Sequence, residues 1–223
     1  QVVQTGGTIV HQDRYQPVVG GWGGTGRWIV SNGVTTVSRG DFYVGGAVTN
    51  VLVSFTSGAN SGKAASKWNN FATNAAKGLL RVAGGAFTSA NDLWFSADGT
   101  GTLEMGPAAD ASLTAKDIYF TNTVDAVATS RTTVAFTFGP EGTGKAVASG
   151  TVTIAPGTKL IVDYSAYTGS KGGFDLISAA AIEGRFADED ITFIGDLTKE
   201  HVLKQDGKRI RFCLPHGALL LVR

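Results

Sequence analysis

Gly40-Asp-Phe-Tyr-Val44, Asn91-Asp-Leu-Trp-Phe95 and Lys116-Asp-Ile-Tyr-Phe120 share one pattern, an aspartate followed by apolar, aromatic and apolar residues. The runs upstream of them match as well: Trp28-Ile-Val-Ser-Asn-Gly33, Leu80-Arg-Val-Ala-Gly-Gly85 and Leu103-Glu-Met-Gly-Pro107. Asp92 and Asp117 are 25 positions apart, and Asp41 and Asp92 are 51 apart, close to twice that step, so one period is expected to be skipped or decorated. A second pair, Val53-Ser-Phe-Thr-Ser-Gly and Val134-Ala-Phe-Thr-Phe-Gly, recurs at an offset of 81, near three such periods. Short period-two strands and Gly-rich turns recurring at this interval predict an all-β chain coiled as a β-solenoid, each coil burying its inward residues on the next. The alternative, a β-sandwich, explains the strands but not their recurrence.

Residues 61–77 break the pattern. Ala64, Trp68, Phe71, Ala72 and Ala75 fall at helical spacing, and Gly78 offers a stop, which predicts a short amphipathic helix inserted from one coil. Further strands are expected at Gly150–Ile154, Thr158–Asp163 and Phe174–Ile177, divided by Pro156-Gly157 and Gly172-Gly173. The expected organisation is therefore a solenoid over 1–187 and a more charged C-terminal β cap or assembly segment over 188–223, with a hairpin at Asp206-Gly207.

The chain has 223 residues, 43% of them hydrophobic and 17% charged, enough for one large core and too apolar for disorder. Net charge is +1, without the basic surplus that nucleic-acid binding uses, so no nucleic-acid partner is expected; no apolar run approaches the length of a membrane span. Thirty-one glycines, one Met and one Cys fit turn-rich β-structure. Cys213 sits in an apolar run and reads as a small core hydrophobe rather than half of a bridge. Gln1 reads as a processed terminus, which points to a secreted or cell-surface location.

Asp98-Gly-Thr-Gly-Thr-Leu-Glu-Met105, the repeated Asp-apolar-aromatic unit, Gly157-Thr-Lys-Leu-Ile-Val-Asp163, Phe174-Asp-Leu-Ile-Ser178 and Ile182-Glu-Gly-Arg-Phe186 resemble the β-helix repeats of bacterial autotransporter passengers and related surface-anchored repeat proteins, across about residues 24–187. The resemblance implies a right-handed parallel β-helix exported to the cell surface, where such chains serve as stalks, adhesins or matrix components.

Chemistry is harder to find. Gly139-Pro-Glu-Gly-Thr-Gly-Lys145 has the spacing of a phosphate-binding loop, but Ala146 replaces the magnesium-binding hydroxyl and the residues that follow read as strand rather than helix, so a turn is expected. His11, His201 and His216 lack metal-ligand spacing. Stacked coils would place Asp92 beside Asp117, where like charges repel unless they cap turns, meet Lys116 or share calcium; turn capping is the favoured reading because each Asp starts a strand. Asp117, Lys116, Asp163 and Arg131 are the side chains a polysaccharide lyase or hydrolase would draw on, with no derivable arrangement. Alternation sends Phe42, Leu93 and Ile118 to one face and Tyr43, Trp94 and Tyr119 to the other, where the three aromatics would form a strip for a glycan, a partner or the inserted helix.

The sequence thus leads to an extracellular, non-enzymatic structural protein without cofactor or metal. Copies are expected to join head to tail into a filament or surface layer through the strand-like ends Thr8-Ile9-Val10 and Leu219-Leu220-Leu221-Val222. A carbohydrate-binding adhesin using Tyr43, Trp94 and Tyr119, with surface polysaccharide as partner, is the first alternative, and a polysaccharide-cleaving enzyme the second.

Overall fold

The computed structural model describes residues 1–12, 16–20, 24–45, 76–96, 99–121, 131–170, 172–196 and 201–214. Its strands come in threes. The first rung is β1 (Val2–Gln4), β2 (Thr8–His11) and β3 (Val18–Val19), and the second is β4 (Thr25–Val30), β5 (Val34–Val37) and β6 (Phe42–Val44). The third is β7 (Lys77–Val82), β8 (Ala86–Ser89) and β9 (Leu93–Phe95), followed by β10 (Thr100–Met105), β11 (Ser112–Ala115) and β12 (Ile118–Phe120). Next come β13 (Thr132–Thr137), β14 (Lys145–Ala148) and β15 (Thr151–Ile154), then β16 (Lys159–Asp163), β17 (Gly173–Ser178) and β18 (Ala181–Gly184). A 3₁₀ turn, Asp188–Asp190, leads into β19 (Ile191–Ile194), and β20 (Val202–Gln205) and β21 (Arg209–Cys213) follow.

Each rung gives one strand to each of three sheets. Sheet A has seven strands in the order β1-β4-β7-β10-β13-β16-β19, sheet B eight in the order β2-β5-β8-β11-β14-β17-β21-β20, and sheet C six in the order β18-β15-β12-β9-β6-β3. The fold is all-β, built of long parallel sheets and consistent with a β-solenoid. The antiparallel pairing on which a sandwich rests occurs among the described residues only where β21 meets β17 and β20, and in an isolated Gly139–Gly142 bridge.

Register makes the core. In sheet A, Val30, Val82, Met105, Phe136 and Val162 lie on successive strands in one column and are fully buried. Trp28, Leu80, Leu103, Val134 and Leu160 form the column beside it. Alternation puts Arg81, Glu104 and Ala135 outside, where Arg81 Nε lies 3.7 Å from Glu104. Burying each large apolar side chain in such a column contributes about 1.5–3 kcal/mol.

The step of 51 residues is decorated, not skipped: Phe42 pairs directly with Leu93, and β4 directly with β7, so the surplus leaves the ladder after Val44 and returns at Lys77. The predicted helix falls mainly on residues outside the described set, as do Leu219–Val222, His216 and the first copy of the Val53 repeat. At its C-terminal end the expectation fails. Lys77 opens β7, and Gly78 continues it instead of stopping a helix. Gly26, Gly78 and Gly101 stand in register at the corner between sheets C and A. A Cβ on Gly78 would lie 2.1 Å from the Gly45 nitrogen and 2.4 Å from the Val19 carbonyl oxygen, so glycine is required by the close approach of the neighbouring rungs, not by a turn of its own.

The ladder also runs past residue 187. β19 pairs parallel with β16, and only then does the chain turn into the β20–β21 hairpin. The Asp206-Gly207 signal marks its turn, where Asp206 Oδ1 accepts the backbone N–H groups of Lys208 at 2.8 Å and Arg209 at 2.7 Å. Cys213 departs from expectation, because Ile210 and Phe212 take the inward positions of β21 and alternation leaves the half-buried thiol facing outward.

Substituting Gly78→Ala should destabilise the chain by about 1–3 kcal/mol or more, as overpacking against backbone does. Gly207→Ala, at a site with nothing within 4 Å of the added methyl, should leave stability within about 0.5 kcal/mol of the parent. Equal denaturant midpoints for the two variants would refute the close-packed corner.

Candidate functional site

The outer face of sheet C and the corner leading into it carry the densest chemistry. Because β6, β9 and β12 pair with Phe42, Leu93 and Ile118 in register, the residues before and after them form two rows. The inward side chains Phe42, Leu93 and Ile118 are fully buried. Asp41, Asp92 and Asp117 make the row at the corner, and Tyr43, Trp94 and Tyr119 the row on the sheet.

Lys116 bridges two members of the acidic row. Its Nζ lies 3.6 Å from Asp92 and 3.5 Å from Asp117. Asp117 also does the capping expected of it, since its Oδ1 accepts the Thr151 N–H of the next rung at 2.5 Å. Asp41 accepts the Tyr43 hydroxyl at 3.4 Å. Asp92 is left with its Oδ1 buried and no hydrogen bond, only the ammonium at 3.6 Å. Burial pushes its carboxyl above the usual carboxylate range; Lys116 pulls it back, and the Asp41 and Asp117 charges push it up again. Lys116 in turn is raised, chiefly by Asp92.

The aromatic row is a stack of rings rather than a platform. Trp94 and Tyr119 lie nearly parallel with centroids 3.8 Å apart, and Tyr43 and Trp94 are parallel within 10° at 6.4 Å. The ring faces turn toward neighbouring rungs, so Trp94 offers its edge to solvent while Tyr119 takes one of its faces. Tyr43 is only 4% exposed, whereas Trp94 and Tyr119 are half-buried. Burial and then the Asp41 charge push the Tyr43 phenol up to about 12. Tyr119 rises too, first by burial and then by Asp92 and Asp117.

The side chains an enzyme would need are not brought together. Asp117 and Lys116 sit between sheets B and C, while Asp163 lies at the end of β16 in sheet A, its carboxylate accepting the Ser165 N–H at 3.1 Å and hydroxyl at 2.6 Å. Gly139–Gly142 forms a narrow turn and Lys145 opens strand β14, so the glycine-rich loop connects sheets A and B. Among the described residues no group of three or more His, Cys, Asp or Glu is placed to hold a metal ion. His11 lies on β2, and His201 packs against the rings of Phe193 and Tyr164, its Nδ1 3.4 Å from the Tyr164 hydroxyl.

The ends are the other candidate surface. Thr8, Ile9 and Val10 belong to β2, the edge strand of sheet B, and β1 and β3 are the edges of sheets A and C in the same rung. Beneath them Gln4, almost fully buried, donates to the carbonyls of Gly7 at 3.0 Å and Val34 at 2.9 Å and accepts the Thr35 hydroxyl. This polar plug was not anticipated, although a lone glutamine after two valines is its trace in the sequence. The exposed large apolar residues among those described are Val3, Val10, Val18, Val34, Ile194 and Val202, on β1, β2, β3, β5, β19 and β20. All but Val34, which is one strand in from the end of sheet B, lie on the first or last strand of their sheet.

A raised tyrosine makes alkaline stability a readout of this site. The fold favours the neutral phenol of Tyr43, so that contribution is complete below the unfolded value near 10 and is lost as pH climbs toward about 12, by at most about 3 kcal/mol. Tyr43→Phe should flatten the fall in stability across that window; denaturant titrations at stepped pH that give parallel curves for parent and variant would refute the burial of the phenol.

Comparison with protein-family models, curated proteins and solved structures finds no match in any of the three.

Proposed function

We propose that the chain is a right-handed parallel β-helix with a structural, non-enzymatic role in a secreted or cell-surface assembly, in which copies join head to tail. The observation that carries this reading is that, among the described residues, five of the six exposed large apolar side chains lie on the first or last strands of the sheets, the sixth, Val34, lying one strand in. Edge strands present unsatisfied backbone groups and template further pairing unless they are blunted. Neither Pro nor Lys interrupts Thr8–His11.

Strand polarity supports the join. β20 runs antiparallel to β21, which runs antiparallel to β17, so the hairpin returns β20 to the direction shared by β2, β5, β8, β11, β14 and β17. A second copy's β2 can therefore extend sheet B in parallel. The sheet lengths of seven, eight and six strands make the C-terminal end stepped among the described residues. A flush join would leave sheet C two strands short, roughly 10 Å. The geometry thus favours a one-sheet join of β2 on β20, a form of strand addition. Contacts of this kind do not close and so grow fibres.

Purified chain viewed by negative-stain electron microscopy across a concentration series, with light scattering, should show regular filaments. Removing residues 1–12, or placing a charge on the edge by Val10→Lys, should leave folded monomers. Filaments that persist in both variants, or a parent that stays monomeric throughout, would overturn the reading.

One observation favours a second reading, glycan adhesion. Among the described residues no ring covers the second face of Tyr119, where the row continues as Thr153. A sugar ring stacked there would be lost on Tyr119→Ala and kept on Tyr43→Phe; glycan-array retention equal in both variants would reject it.

A further inference from the structure

The β20–β21 hairpin breaks a rule of sheet design. Lys204 and Arg211 stand directly opposite each other on its outer face, with Cβ atoms roughly 4.5–5.5 Å apart by the geometry of such pairs, and Arg209 lies on the diagonal. Like charges in these positions destabilise a sheet, and departures from local consistency tend to mark functional sites.

The countercharges nearby only partly answer them. Arg211 Nε lies 3.7 Å from Asp175 on β17. Asp206 is committed to the turn, where its carboxylate accepts two backbone N–H groups. Lys204 has no ion pair among the described residues. The three cations line one surface cavity of about 450 Å³ together with Asp206, Gly172 and Gly173. Gly173 lets the Arg211 guanidinium lie close over the backbone, since a Cβ there would be 2.7 Å from one of its nitrogens and would make the side chain shift.

The geometry points to this cavity as a binding site for a phosphate monoester. Two cations without a full partner and a third shared with Asp175 suit a doubly charged oxyanion better than a carboxylate or a phosphodiester. Guanidinium groups supply the paired donors that phosphate oxygens accept. A net charge of only +1 suits recognition of one phosphate group, not of a polyanionic strand. The site shares β20 with the end-to-end join but uses the side chains on its outer face rather than the strand's free backbone edge.

Isothermal titration of the full chain with phenyl phosphate, a dianion, and dimethyl phosphate, a monoanion, tests it at low ionic strength. Phenyl phosphate should bind saturably, and dimethyl phosphate about tenfold more weakly or worse. The double variant Lys204→Ala/Arg209→Ala should weaken phenyl phosphate about tenfold or more, the loss of one to two charge-assisted hydrogen bonds. Thermal unfolding without ligand separates this from misfolding: relief of the opposed charges should leave the variant's midpoint equal to the parent's or higher, and Lys204→Ala alone should move both readouts in the same directions. Equal affinity for the two phosphates, retained binding in the double variant, or no binding by the parent would overturn the proposal.

Discussion

Parallel pairing of rung on rung is the constraint from which the rest of this structure follows. Once β4, β7, β10, β13 and β16 are locked in register, the residue one rung above any position is chosen by the ladder, and side chains of like kind fall into columns. Val30, Val82, Met105, Phe136 and Val162 meet in this way although they are widely separated in sequence. The corner between sheets C and A shows how tight that arrangement is, since rungs approach there until backbone nearly touches backbone and only glycine fits at position 78. Val44 and Lys77, on either side of the decorated step of 51, both lie at this corner, Val44 paired with Phe95 and Lys77 with Thr25.

Repetition has an electrostatic price on the outside. The register that stacks apolar residues within also stacks Asp41, Asp92 and Asp117 at the corner, and three carboxylates in a row repel. The chain answers with Lys116 between two of them and with a backbone N–H for Asp117. Asp92 is left the least satisfied, its carboxyl held up by burial. The neighbouring row turns Tyr43, Trp94 and Tyr119 ring face to ring face, so most of the aromatic surface is spent within the protein and little is offered to solvent.

A ladder must also end, and the two ends are finished differently. At the first rung a buried glutamine ties Gly7, Val34 and Thr35 together across the interior while the three strand edges remain open among the described residues. At the other end Phe193, Tyr164, His201 and Phe212 pack as a group of rings, and the hairpin extends sheet B edgewise. The hairpin restores strand polarity at that edge and carries the opposed cations of Lys204 and Arg211 on its outer face.

The repeat, the inward alternation of Phe42, Leu93 and Ile118 and the Asp206-Gly207 turn were determined by the sequence itself, because periods of two, turn chemistry and self-similarity are local properties written along the chain. Tertiary structure alone decided that Gly78 belongs to a strand, that Tyr43 is covered while Tyr119 keeps a bare face, that Cys213 points outward, and that Lys204 faces Arg211. Each of these depends on which strand lies beside which, and on the crowding at a corner where distant rungs meet. The same holds for the candidate sites. Asp92 beside Asp117 could be foreseen from their spacing of 25, one repeat apart, whereas the polar plug at Gln4 and the stepped end appear only when the ladder is assembled and its first and last strands are known.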